Sequence, residues 1–207
     1  MSDNVLSAVN AGVPHLFPGR TVFLDIETTG LDPQRDAIIE IGAVAVVDDG
    51  VVARYHTLVQ PGRPLTPVAI RLTGLSDADF HDAPLLPAII EGLREFIGDS
   101  PVVAHHASFE ASFFRSHRLP EPVHWWDSLV PAVLLRPELS RHNLDELIRL
   151  AGIRDVETHR ALVDAEDTFN VLMFLGTHNA MSMDVLGIVT ALLIPPHDGW
   201  KPFLRRC

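Results

Sequence analysis

Thr21-Val-Phe-Leu-Asp-Ile-Glu-Thr-Thr-Gly30 starts as an apolar run rich in β-formers, ends that run in two carboxylates spaced two apart, and closes on a Thr-Thr-Gly turn. On a strand, residues i and i+2 share a face, with Cα atoms about 7 Å apart. Asp25 and Glu27 therefore point the same way at the end of a buried strand. There they repel each other unless something positive sits between them. Oxygen-rich clusters of this kind suit hard divalent cations such as Mg²⁺ or Mn²⁺. A lone Asp-x-Glu is more often a solvated strand end, so the pair needs support from elsewhere in the chain.

Working outward, Val22 to Ile26 reads as the first strand, Ala37 to Val47 as a long second, and Val51 to Gln60 as a third, with Asp48-Asp-Gly50 as the turn. These three predict an antiparallel meander. Pro64 to Ala83 holds a short helix and a turn-rich loop. Pro84 to Ile97 is an amphipathic helix, with Leu85, Ile89, Leu93 and Phe96 or Ile97 at helical spacing. Val102 to His106 is the next strand, Ser108 to His117 a helix, and His124 to Asp127 a short strand. Asp127-Ser128 can cap a helix that tolerates Pro131 in its first turn. Asn143 to Ala151 and Arg160 to His178 are two further helices. A meander followed by alternating strands and helices predicts an α/β fold with a mixed sheet flanked by helices. Asp77-x-Asp79-x-His81-Asp82 lacks the glycine and glutamate of a calcium loop and reads as a solvated turn.

Two later segments supply partners for the first acids. Pro101-Val-Val-Ala-His-His-Ala-Ser-Phe-Glu110 is a strand running into a helix, and His159-Arg-Ala-Leu-Val-Asp164 opens a strongly helical stretch. Taken with Asp-Ile-Glu-Thr-Thr-Gly-Leu, these segments resemble, in order and spacing, the three motifs of the DEDDh family of 3′–5′ exonucleases. That family includes the proofreading subunit of bacterial replicative polymerase, ribonuclease T and oligoribonuclease. The resemblance covers about residues 20 to 178. It implies a ribonuclease H-like sheet and a metal-dependent exonuclease that releases nucleoside 5′-monophosphates from single-stranded 3′ ends of DNA or RNA.

The resemblance also assigns roles. Asp25, Glu27, Glu110 and Asp164 match metal ligands for two divalent cations, Mg²⁺ or Mn²⁺; one cation activates water and the other stabilises the leaving 3′ oxygen. His159 matches the general base. Thr28, Thr29, Gly30 and Leu31 match the turn that receives the terminal nucleotide, and Phe109 matches a residue packing on the terminal base. Arg71-Leu-Thr-Gly-Leu75 is a weaker match to a segment lining the same pocket. The chain departs from the pattern twice: Glu110 stands where the family has Asp, and His106 stands, among the substrate-binding positions, where it usually has Asn. Those departures, together with the net charge of −11, motivate an alternative, a catalytically weak module that binds 3′ ends or a polymerase partner. An internally cutting nuclease of the same fold is a further alternative.

At 207 residues the chain suits one domain with extensions, which we take as 1–19 and 179–207 around an exonuclease domain at 20–178. The segment from Met181, with its Pro195-Pro196 break, either packs back on the domain or docks a partner. The longest apolar run, Leu186 to Ile194, is far short of the ~20 residues that span a bilayer. The single cysteine, Cys207, excludes a disulfide framework and a Cys-based zinc site, and with the missing basic leader it suggests a cytoplasmic protein. The net charge of −11 argues against tight non-specific nucleic-acid binding. Arginines balance acids over residues 111–160, whereas acids predominate over residues 1–100, so weak, salt-sensitive substrate binding is expected.

Overall fold

The apolar run at the head of the first motif becomes the middle strand of a five-stranded sheet. The computed structural model describes Leu16, Phe17 and residues 19–178. In it β1 (Arg20–Thr28) lies between β2 (Ile38–Val47), antiparallel to it, and β4 (Val102–Ala104), parallel to it; β3 (Gly50–Leu58) and β5 (Trp125–Asp127) complete the order β3-β2-β1-β4-β5. The expected meander is present. Asp48 and Asp49 turn between β2 and β3 with φ of 49° and 63°, the double positive φ of a two-residue hairpin whose twist matches the strands. β4 stops at Ala104, short of the expected His106, because His106 takes φ 70° and leaves the ladder.

Helices α1 (Pro67–Thr73), α2 (Leu86–Ile97), α3 (Ser108–His117), α4 (Leu129–Leu135), α5 (Leu144–Leu150) and α6 (Ala161–His178) cover the sheet. Parity along β1 divides the core. Val22, Leu24 and Ile26 pack with Leu93, Ile97, Phe113 and Phe114 of α2 and α3. Phe23 faces the other way, among Leu147 and Ile148 of α5 and Phe169, Leu172 and Leu175 of α6. β1 is thus apolar on both faces because both are covered. Trp125 and Trp126 follow the same parity, one into each core.

Three local expectations need correcting. Leu85 is not in the buried stripe of α2: it is the extended N-cap, 57% exposed, and Ile89, Leu93 and Ile97 carry the stripe. Ser128 makes no cap with its side chain; Asp127 Oδ1 instead accepts the N–H of Leu129 at 3.0 Å. Phe17, read as part of an extension, is 2% exposed and meets Phe23 edge-on at 5.0 Å. Residues 1–15, 18 and 179–207 lie outside the described residues. The Asp77–Asp79 turn is a 3₁₀ segment (Asp77–Phe80) whose acids are used locally, Asp77 on the Leu65 N–H and Asp79 on Ser76. No helix among the described residues is long and apolar enough to cross a membrane.

Candidate active site

Asp25 and Glu27 share the parity of Phe23, so they face α6 from the C-terminal end of β1. Directly across the ladder, Asp25 pairs with Gly42 and Glu27 with Glu40. A Cβ at Gly42 would lie 2.0 Å from the Leu162 nitrogen and 2.2 Å from the Ala161 carbonyl carbon. Only glycine lets the first turn of α6 rest on the sheet at this point, and that contact brings Asp164 to the β1 acids. Glu27, His159 and Asp164 offer donor atoms that all lie within 4.8 Å of one another. Asp164 is 1% exposed, and its aim is set by the Thr158 hydroxyl (3.1 Å) and the Arg160 backbone N–H (3.2 Å), which both donate to it. Glu110 arrives from the first turn of α3, buried, with Oε2 lacking any hydrogen-bond partner.

Burial holds every one of these acids towards its neutral form. The Asp25 carboxyl is pushed well above the usual range by burial, then by the charges of Glu27, Glu110, Asp164 and Glu157. Burial, then Asp164, Glu40 and Glu157 raise Glu27 to about 8, with Arg160 opposing. Glu110 is raised by burial first and then by Asp127 and Glu27, against a backbone hydrogen bond. Asp164 is raised by burial, while the Thr158 hydroxyl and His159 pull it down. An acidic cluster this desolvated and self-repelling, with an orphaned carboxylate oxygen inside it, fits hard divalent cations held by oxygen.

Several participants carry no motif. Glu157 sits beside the cluster, raised to about 7 by burial and then by Asp164, Asp145 and Asp167. Glu40, 1% exposed, receives the Arg160 guanidinium through Nε (3.1 Å) and Nη2 (3.0 Å) and touches His56 Nε2 at 2.6 Å. A charged residue inside the apolar run Ile38-Ile-Glu-Ile41 was the one available signal for it. Buried Asp167 accepts from Arg154 Nη2 at 2.9 Å. At the opposite end of β1, Arg20, Glu95, Gly98, Asp99 and Ser100 line a shallow cleft away from the gathered acids.

The proposed nucleotide-facing residues fall into two kinds. Thr29 is buried: its hydroxyl donates to Asp36 Oδ1 (3.2 Å) and accepts the Ala37 N–H (3.0 Å), and its carbonyl accepts from Thr66 Oγ1 (3.0 Å). Thr28 Oγ1 donates to the Gly30 carbonyl at 2.6 Å, and a Cβ at Gly30 would strike the Asp36 carboxylate at 2.5 Å. These residues fix the turn. Leu31, 83% exposed at its tip, presents a bare apolar side chain to solvent. His106 is exposed, with a φ of 70° that suits asparagine and is also enriched for histidine; its N–H donates to Asp127 Oδ1 at 2.9 Å. Phe109 is half-buried against Phe113, ring centroids 4.9 Å apart. Arg71 is exposed on α1, whereas Thr73 and Leu75 are buried.

A mixed ribonuclease H-like sheet, with acids at the end of its central strand and on two covering helices beside a histidine, defines the exonuclease class of that fold. The exonuclease model of the RNase T family matches residues 22–172, and the chain belongs to that family. It is 35% identical over 181 residues to the DNA polymerase III PolC-type protein of Bacillus subtilis (strain 168), a match spanning 84% of this chain and 12% of that protein. Among solved structures it is similar to exonuclease X in complex with 5′ overhanging duplex DNA, at TM-score 0.66 and 27% identity, over 82% of this chain and 99% of that one. E. coli exonuclease I in complex with an oligonucleotide shares the fold at TM-score 0.69 and 18% identity, over 87% of this chain and 46% of that one.

Proposed function

We propose that residues 20–178 form a metal-dependent 3′–5′ exonuclease domain that removes nucleoside 5′-monophosphates from single-stranded 3′ ends. The observation that carries this reading is the meeting of Glu27, His159 and Asp164 within 4.8 Å, with Asp25 and Glu110 around them. Two divalent cations, Mg²⁺ or Mn²⁺, held by Asp25, Glu27, Glu110 and Asp164 would supply Lewis acidity for the attacking water and the leaving 3′ oxygen. The chain does the rest. His159 takes the proton of the attacking water as general base. The turn Thr28–Leu31 receives the terminal nucleotide, with Leu31 as its apolar contact and Thr29 and Gly30 keeping its shape. Phe109 offers a stacking face and His106 a polar group at the rim, a sequence-tolerant way to hold a strand end.

DNA is the first substrate to test, because the relatives include a DNA polymerase and an exonuclease solved on DNA. A polymerase or another protein is the partner class that the PolC-type likeness suggests, in a cytoplasmic setting. The test is a labelled 3′-tailed oligonucleotide in Mg²⁺, in Mn²⁺ and in excess chelator. Stepwise shortening from the 3′ end with either metal and none with chelator is expected; hydrolysis undiminished by chelator overturns the site. The alternative of a weak 3′-end-binding module is favoured by Glu110 and His106, and binding without shortening in either metal would establish it.

A further inference from the structure

We propose that Glu157 is the positioning residue of His159, holding the imidazole through Nδ1 so that Nε2 is the nitrogen that accepts the proton. The inference rests on the reading of His159 as general base.

Glu157 Oε1 stands 3.6 Å from His159 Nδ1, within ion-pair reach, and the glutamate side chain is the less exposed of the two, 20% against 37%. Among the described residues no other side chain pairs with the Glu157 carboxylate. A largely buried carboxylate is costly unless polar or charged partners answer it; a backbone hydrogen bond with Asp145 answers part of this one, and His159 is the side chain placed to answer the rest. Its backbone is anchored as well: the Glu157 N–H donates to Asp145 Oδ1 at 3.0 Å, and Asp145 is itself paired with Arg149 on α5.

His159 needs such a partner. Its φ is 49°, a left-handed conformation that side-chain-bearing residues adopt sparingly. Both neighbours are fastened, Thr158 and Arg160 to Asp164, and Arg160 also to Glu40. The backbone of the base is thereby settled, and the remaining freedom is rotation of the ring. Asp164 is engaged by Thr158 and Arg160, and Glu157 Oε1 is the carboxylate oxygen that faces Nδ1, at 3.6 Å, longer than a hydrogen bond until the ring turns towards it. A carboxylate on Nδ1–H selects the tautomer with a bare Nε2, the arrangement by which carboxylates orient imidazole bases and ligands elsewhere. In the reaction the water O–H bond breaks as the Nε2–H bond forms, Glu157 offsets the imidazolium charge, and the proton then passes from Nε2 to bulk water.

The test combines variants with a readout independent of turnover. Glu157→Gln should lower kcat by about 10-fold or more, the scale of losing an orienting partner, with KM and the Mn²⁺ concentration for half-maximal rate unchanged. Glu157→Asp should recover part of the loss. In a His159→Ala background, Glu157→Gln should add nothing, because the group it orients is gone. Metal-free ¹⁵N spectra, with His159 picked out of eleven histidines by the His159→Ala difference, should show Nδ1–H in wild type and its loss in Glu157→Leu, which has no oxygen to accept it. Full additivity in the double variant, a shifted Mn²⁺ requirement, or an unchanged tautomer would each overturn the proposal. A slow His159→Ala beside a fast Glu157→Gln overturns this inference alone; a fast His159→Ala overturns the base assignment and takes this inference with it.

Discussion

The site joins two regions that are built in different ways. Asp25 and Glu27 stand on β1, which is laddered to β2 along its whole length and to β4 at Val22 and Phe23. Their backbone is fixed whatever their side chains are. The segment from Arg154 to Arg160 has no ladder. It is held by side chains: Arg154 to Asp167, the Glu157 N–H to Asp145, Thr158 to Asp164, and Arg160 to Glu40. On the strand a side chain can change its chemistry without moving the fold. In the segment, Thr158 and Arg160 fasten the backbone on either side of His159, so placement of the proposed base depends on side chains.

The largest expected effect tests the strand half. Asp25→Ala should abolish turnover while its metal-free thermal melt is no lower than wild type, since the change removes a buried, repelled carboxyl from a fixed backbone. A marked fall in the melting temperature would show that β1 depends on its acids after all. His159→Ala comes next, with kcat down about 10²-fold or more, the usual scale for a lost general base, and metal affinity little changed. Full rate from pH 6 to 9 would remove His159 from the mechanism.

Glu110, on a helix rather than in either region, sharpens the comparison through the metal. Glu110→Gln should cripple hydrolysis, because the amide keeps the shape and loses the charge. Glu110→Asp should stay active and move the preference from Mn²⁺ towards Mg²⁺, which demands near-ideal octahedral geometry. Equal rates for all three proteins in both metals would make Glu110 a bystander.

Arg160→Ala probes an anchor. It leaves buried Glu40 with His56 as its remaining partner, and should cost about 1–3 kcal/mol, the usual penalty for stranding a buried acceptor, discounted here because the arginine side chain is 40% exposed. Activity and the melt should fall together, unlike Asp25→Ala, and a melt equal to wild type would refute the distinction between the two regions.

The smallest effect is on pH dependence without metal. Burial, followed by mutual repulsion, raises Asp25, Glu27 (to about 8), Glu110 and Glu157 (to about 7), so the folded chain binds these protons more tightly than the unfolded one. Stability from this source is full below the unfolded carboxyl range near pH 4 and is lost as pH rises through about 7 and 8. Chelated protein should therefore melt higher at pH 6 than at pH 8, at about 2–4 °C per kcal/mol, and added Mg²⁺ should flatten the difference. A chelated melt that rises with pH would contradict the clustering of these acids.

Much of the architecture was legible before any coordinates, for a local reason. Strand and helix periods are read over a few residues, so the meander, the bounds of α3 and the shared face of Asp25 and Glu27 follow from alternation alone. The family resemblance, and not any local period, marked His159 and Asp164 and linked the three motifs to one another. What the pattern left open is what distant side chains do when the chain closes. Arg160 and Glu40 are 120 residues apart, and no period connects them. Gly42 looks like any glycine in a strand until α6 lies across it. Glu157 is an ordinary loop acid until α5 and α6 enclose it beside His159. Phe17 is merely an aromatic ahead of the domain until Phe23 and Phe169 pack around it. The sequence by itself determined the elements and the chemistry at their ends. Only tertiary structure decided which buried groups face that chemistry, because burial and charge are properties of the surroundings and not of the residue.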